Sequence, residues 1–199
     1  MILSKLEIDY LKELTTICVG SVANRMATIV PFPVMISLPS LTIITNYDES
    51  SVFSTNSYKY SIHIRGEGDF SAHLIISLSP TTPAIIIQHN PYMSEFADSN
   101  DPTFIESMVL EMGNILSSAY MTAIEQFTGL CLMPTVPSLV HNGSDVISSH
   151  YFQQNSTLAI PFILLQADLL LTFHRERAFF ATLLSEEQVR LILRCREEN

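Results

Sequence analysis

The chain has 199 residues, of which 47% are apolar and 15% charged; that is material for one sizeable core, too little for two comfortable domains, and unlike a disordered chain. Twenty acids against ten bases give a formal charge of −10, which argues against DNA or RNA as a partner, because phosphate binding needs clustered Lys and Arg. Cys18, Cys131 and Cys195 are too few and too scattered for a disulfide framework or a zinc cage and point to a reducing compartment. The start lacks the basic and long apolar pattern of a secretion signal. The most apolar stretch, Thr157 to Phe173, is interrupted by Asp168 and falls short of the roughly 20 uncharged residues a membrane span needs. It is expected to form two buried strands, and the protein to be soluble, cytoplasmic and without a membrane partner.

In chain order, a long helix is predicted over Ile8–Ile29, followed by a short apolar segment with Pro that ends near Leu41 and a polar loop over Asn46–Ser57. Two strands follow, Tyr58–Arg65 and Phe70–Leu78, joined by the short hairpin connection Gly66-Glu67-Gly68-Asp69. Alternation of Tyr60, Ile62 and Ile64 with Ser61 and His63 predicts one wet face. A second long helix is predicted over Pro102–Phe127, with Asp101 as N-cap and Pro102 at its first position. After it come an apolar segment ending near Leu139 and a polar loop over His141–Ser156. Strands at Leu158–Gln166 and Leu169–His174 follow, then a closing helix started by the capping box Ser185-Glu186-Glu187-Gln188.

The two halves coincide when the sequence is shifted by 98 positions. Glu13 falls on Glu111, Ile17 on Ile115, and Pro39-Ser40-Leu41 on Pro137-Ser138-Leu139, while Leu11, Leu14, Met26 and Ile29 fall on Val109, Met112, Ile124 and Phe127. This predicts a single domain, 1–199, built from two repeats of about 1–98 and 99–199. The fold class that follows is α+β with pseudo-two-fold symmetry, long helices packed on a largely antiparallel sheet. Charge is less evenly shared. Lys and Arg are absent from Gly66 to His174, a stretch holding ten acids, which is either a solubilising surface or a docking surface for a basic partner.

On the second long helix Ser107, Glu111 and Asn114 are spaced by four and three residues, so all three share one stripe and span about 10 Å of it; Ser118, Thr122 and Glu125 continue the same stripe. An amphipathic helix has a wet face in any case. Two details single this one out: no Lys or Arg stands at helical spacing to pair with Glu111, and Gly113 sits mid-helix at a cost of about 1 kcal/mol against Ala, where it admits a close approach to the backbone. The six histidines, His63, His73, His89, His141, His150 and His174, show no ligand spacing, so no metal site is expected. Cys18 and Cys131 lie in apolar runs, and Met108, Met112 and Met121 read as core. No phosphate loop or nucleophile elbow is present.

Glu106-Ser107-Met108-Val109-Leu110-Glu111-Met112-Gly113-Asn114-Ile115-Leu116, followed by Tyr120, resembles the signature of the CheC/CheX/FliY chemotaxis phosphatases: Asp or Ser, three residues, Glu, two residues, Asn, ending in GNI. Thr128-Gly129-Leu130 and Pro137 resemble its continuation. Asp9, Leu11-Lys12-Glu13, Ile17, Gly20 and Ala23 resemble the matching first motif. There Thr16 replaces the family's Asn, and Thr15 and Cys18 replace neighbouring glycines. The resemblance implies a CheC-like fold and hydrolysis of the aspartyl phosphate of a phosphorylated CheY-like response regulator, in chemotaxis or related two-component signalling.

By the same resemblance Asn114 positions the attacking water, Glu111 pairs with the regulator's active-site Lys, and Ser107 and Gly113 support them. The first site (Asp9, Glu13, Thr16) is expected to be degenerate. No cofactor of its own is expected, Mg²⁺ arriving on the regulator. A CheD-like deamidase is a further implied partner, and the full duplication favours a monomer. The alternative is a non-catalytic interaction module on the same architecture, as in the flagellar switch component FliM.

Overall fold

The computed structural model describes residues 1–45, 58–96, 101–141 and 161–196. The expected polar loops therefore lie outside the described residues, apart from His141, as does the predicted strand start at Leu158. Among the described residues the order is α1 (Lys5–Ile29), β1 (Val34–Ile36), β2 (Ser40–Ile44), β3 (Tyr60–Gly68), β4 (Ala72–Leu78), α2 (Thr82–His89), α3 (Pro102–Thr128), β5 (Leu132–Pro134), β6 (Ser138–His141), β7 (Phe162–Leu171), β8 (Glu176–Ser185) and α4 (Glu186–Cys195), with a 3₁₀ turn at Ser94–Phe96 before α3. The element order of the first half, a long helix, two short strands, a hairpin and a short helix, recurs in the second.

Helix ends follow local chemistry. Ser4 and Glu7 form a capping box that starts α1 three residues earlier than its apolar period suggests. Asp101 accepts from Thr103 N–H at the start of α3, and Gly129 ends that helix in the left-handed region at φ 76°, where glycine carries no Cβ penalty. Ser185 and Gln188 cap α4 as expected.

All eight strands form one antiparallel sheet in the order β1-β7-β8-β4-β3-β5, with β2 also on β7 and β6 also on β3. Each half thus lends its two short strands to the other half's hairpin: β1 and β2 to β7, β5 and β6 to β3. The helices cover one face. Their buried side chains, among them Leu11, Cys18, Val22, Val109, Leu116 and Ile124, meet Ile62, Ile64, Leu74, Ile76, Leu165, Leu169 and Phe180. Thr182 Oγ1 donates to the buried Tyr120 hydroxyl at 2.7 Å, tying α3 to β8.

Four sequence expectations are corrected. The first concerns the apolar stretch before His174: it is one strand, and its hairpin turn falls after Leu171, with Arg175 in the left-handed region at φ 55°. Asp168 does not break the strand because it points to the sheet face away from the helices, where it pairs with Arg177 at 3.7 Å while its backbone N–H donates to Ser37 Oγ. Second, Gly66, Glu67 and Gly68 belong to β3 and not to a turn. A Cβ on Gly66 would stand 2.9 Å from Leu132 and Met121 side-chain carbons, and one on Gly68 would collide with the Cys131 carbonyl oxygen. These glycines let β5 and α3 approach.

Third, the face expected to be wet is covered: Ser61 is buried and hydrogen-bonded to Ser77 at 2.9 Å. A second apolar cluster, including Ile75, Phe162, Leu164 and Leu183, packs on that same side. Fourth, α2 occupies a stretch for which no element was expected. The acidic stretch is also less free than its composition implies, since Glu67 and Asp168 pair with Arg65 and Arg177 from outside it, and Asp69 accepts from Cys131 N–H.

Candidate functional site

Pro102 and Asp101 start α3 in a fixed phase, and burial of Met108, Val109, Met112, Leu116 and Met121 against the sheet turns the opposite side outward. Ser107, Glu111, Asn114, Ser118, Thr122 and Glu125 are all exposed on that side. Asn114 Nδ2 donates to Glu111 Oε2 at 3.3 Å, so the amide and the carboxylate meet one turn apart. Glu111 has no cationic partner among the described residues. Ser107 Oγ donates to the Thr103 carbonyl at 2.8 Å, which satisfies its hydroxyl within the helix.

Gly113 faces the other way. It is buried, and a Cβ there would lie 2.7 Å from Ile62 Cγ2 and 3.6 Å from Pro137 Cβ. The close approach that glycine permits is therefore made by β3 and the β5–β6 connection of the same chain, which seats α3 on the sheet. On α1 the equivalent position is Thr15, buried, with Oγ1 donating to the Leu11 carbonyl at 2.7 Å.

Asp9, Glu13 and Thr16 are likewise exposed along α1. Thr16 Oγ1 donates to the Lys12 carbonyl at 2.8 Å, so its hydroxyl hydrogen is spent on the helix backbone and nothing reaches out as the Asn114 carboxamide does. Ser21 Oγ lies 3.2 Å from the Ala119 carbonyl oxygen, and the Tyr10 and Phe127 rings are 5.6 Å apart, so α1 and α3 pack antiparallel. Their shared outer surface carries a groove of about 360 Å³ lined by Asn24, Arg25, Thr28, Ser118, Thr122 and Gln126 among others. Arg25 comes into this setting only through the helix–helix register, which sequence spacing does not report.

The remaining chemistry-bearing groups are placed elsewhere. Cys18 is fully buried, and burial pushes its thiol well above the usual range. His63 and His73 are brought together across the β3–β4 hairpin, Nε2 to Nδ1 at 3.0 Å; burial first, then for His63 the charge of His73, and for both the nearby Arg65 charge, hold the imidazoles down at about 4. Only the hairpin register signals this pair. Among the described residues no group of three or more His, Cys, Asp or Glu could hold a metal ion, and no helix is long and apolar enough to cross a membrane.

Residues 104–141, which span α3 from its third residue onward together with β5 and β6, match the CheC-like family model. The fold is similar to that of Thermotoga maritima FliY, at 16% identity with 100% of this chain and 99% of that chain covered and a TM-score of 0.75. It is also similar to a chain of the FliM–SpeE complex from H. pylori (11% identity, 99% and 97% covered, TM-score 0.65). A chain of the CheX–CheY–BeF₃–Mg²⁺ complex from Borrelia burgdorferi matches at 14% identity over 90% of this chain and 99% of that chain, with a TM-score of 0.58. No curated protein matches the sequence.

Proposed function

We propose that this chain, similar to the CheC/CheX/FliY family in its α3 segment and its fold, hydrolyses the aspartyl phosphate of a CheY-like response regulator. The observation that carries this reading is the exposed Glu111–Asn114 pair, joined at 3.3 Å on a helix face where, among the described residues, no cation answers the carboxylate. A phosphoryl group is anionic, so Glu111 belongs beside a cation brought by the partner, the regulator's active-site Lys. The carboxamide is neutral and has both donor and acceptor atoms. With one N–H on Glu111, its Oδ1 remains to accept a water O–H and to turn the water's lone pair toward phosphorus, in line with the bond that breaks. The P–O bond to the aspartate opens, the water supplies the new P–O bond, and its proton leaves to solvent.

Phosphoryl transfer draws mainly on positioning and charge neutralisation. In this reading Mg²⁺ arrives on the regulator; the CheX–CheY neighbour is a complex that contains BeF₃ and Mg²⁺. A cation-free stripe suits a client that supplies both charges. The two-repeat organisation gives this mechanism one complete motif per chain, on α3. A CheD-like deamidase belongs to the same reading as a further partner, and cytoplasmic signalling as its setting.

A second reading rests on the FliM neighbour, which matches over 99% of this chain, and on Thr16: a non-catalytic module of a switch or signalling complex. Phosphate release from a panel of phosphorylated CheY-like regulators decides between them. The phosphatase reading expects at least one regulator to lose phosphate faster when the chain is added. Binding without acceleration across the panel would leave the module reading standing.

A further inference from the structure

We infer that Arg25, on the opposite helix from the Glu111–Asn114 pair, is a specificity-determining residue for the regulator and meets an acidic side chain on its docking surface. This rests on the phosphatase reading above and deepens it. Two contacts fix the register of the antiparallel pair, Tyr10 on Phe127 and Ser21 on Ala119. Arg25, one turn beyond Ser21, therefore stands across from the Asn114–Ser118 turn, and it shares the intervening groove with Ser118 and Thr122. It is exposed, and among the described residues it makes no ion pair. The other groove residues named above are neutral. The groove adjoins the stripe through Ser118 and Thr122, which belong to both, so it is the neighbouring surface for a protein seated on Glu111 and Asn114.

The internal repeat supplies a control within the chain. Displaced by 98 positions, Arg25 becomes Ala123, which is buried and uncharged, and it lies across from Thr16. The site with the amide thus has a cation on the facing helix, and the site without the amide has none. The stripe and the groove present opposite charges side by side: Glu111 for a base of the partner, Arg25 for an acid. Such a pair orients a docking protein, because the reversed pose brings like charges together.

The test is a binding titration of the full chain against a CheY-like regulator loaded with BeF₃⁻ and Mg²⁺, combined with single-turnover phosphate release. Arg25→Glu is expected to weaken binding about tenfold and to reduce its salt dependence. Arg25→Lys should keep most of the affinity, and Lys5→Glu, away from the groove, should bind as wild type. At saturating chain the hydrolysis rate of Arg25→Glu should match wild type. Unchanged affinity in Arg25→Glu, or a loss of rate at saturation with affinity intact, would overturn the inference. Failure of the wild-type chain to bind or dephosphorylate any regulator would instead remove the phosphatase reading itself.

Discussion

At an offset of 98 residues Asp9, Glu13 and Thr16 of α1 stand where Ser107, Glu111 and Asn114 stand on α3, and all six are exposed. Both helices keep the carboxylate. They differ at the amide, where Thr16 turns its hydroxyl back to Lys12 while Asn114 reaches outward to Glu111. They differ again beneath the site, where Gly113 lets Ile62 and Pro137 approach and Thr15 fills the same place with a methyl and a hydroxyl. The comparison teaches that a carboxylate on a helix face is cheap to retain, whereas an outward amide over a closely seated backbone is what sets the two stripes apart.

Charge reversal separates the stripes most strongly. Glu111→Lys is expected to weaken binding of an activated regulator by about two orders of magnitude, since a like charge would face the partner's Lys. Glu13→Lys should change it less than about twofold. A titration that finds the two variants equal would erase the distinction.

The seating difference is tested by stability. Gly113→Ala places a Cβ 2.7 Å from Ile62 Cγ2, and the overpacking is expected to cost about 1–3 kcal/mol, or about 2–4 °C of Tm per kcal/mol for a chain of this size. Thermal unfolding measures it, and an unchanged Tm would show that α3 rises from the sheet without penalty.

The far face of the sheet offers a second comparison. His63 and His73 occupy the same diagonal of the β3–β4 hairpin that Asp168 and Arg177 occupy on β7–β8. The imidazoles are held near 4 in the fold, below their unfolded value of about 6.5, so below that value the unfolded chain binds more protons. Their contribution is complete above about pH 6.5 and is lost as pH falls toward 4. Tm should drop over that window, and His63→Gln with His73→Gln should flatten the drop; an unchanged slope would contradict it.

The smallest effect concerns repair of the first stripe. Thr16→Asn alone should raise regulator dephosphorylation by less than about twofold, because Thr15 and Ala123 still differ from their partners at the other stripe. A doubling of the rate or more would show that the amide suffices by itself.

Much of this was legible in the chain. Asp101-Pro102 and Ser185 through Gln188 announced two helix starts, and the spacing of Ser107, Glu111 and Asn114 placed the stripe correctly because a helix phase is local. What escaped depends on contacts between distant residues. Asp168 looked like a break because its partners, Arg177 and Ser37, are set by pairing. Gly66 and Gly68 looked like a turn because Cys131 and Leu132 approach them from 60 residues away or more. Thr82-Pro83 and the following apolar run hid α2, since a short buried helix has no polar face to give a period. Arg25 was invisible as a site residue for want of the helix–helix register.

The central claim is that one carboxamide, on α3, aims the attacking water. Its most direct test is single-turnover release of phosphate from a phosphorylated regulator at saturating chain, comparing wild type with Asn114→Ala. The predicted result is a loss of about a hundredfold in rate with affinity for the BeF₃⁻-loaded regulator retained. Wild-type rates from Asn114→Ala, with the regulator fully bound, would contradict it.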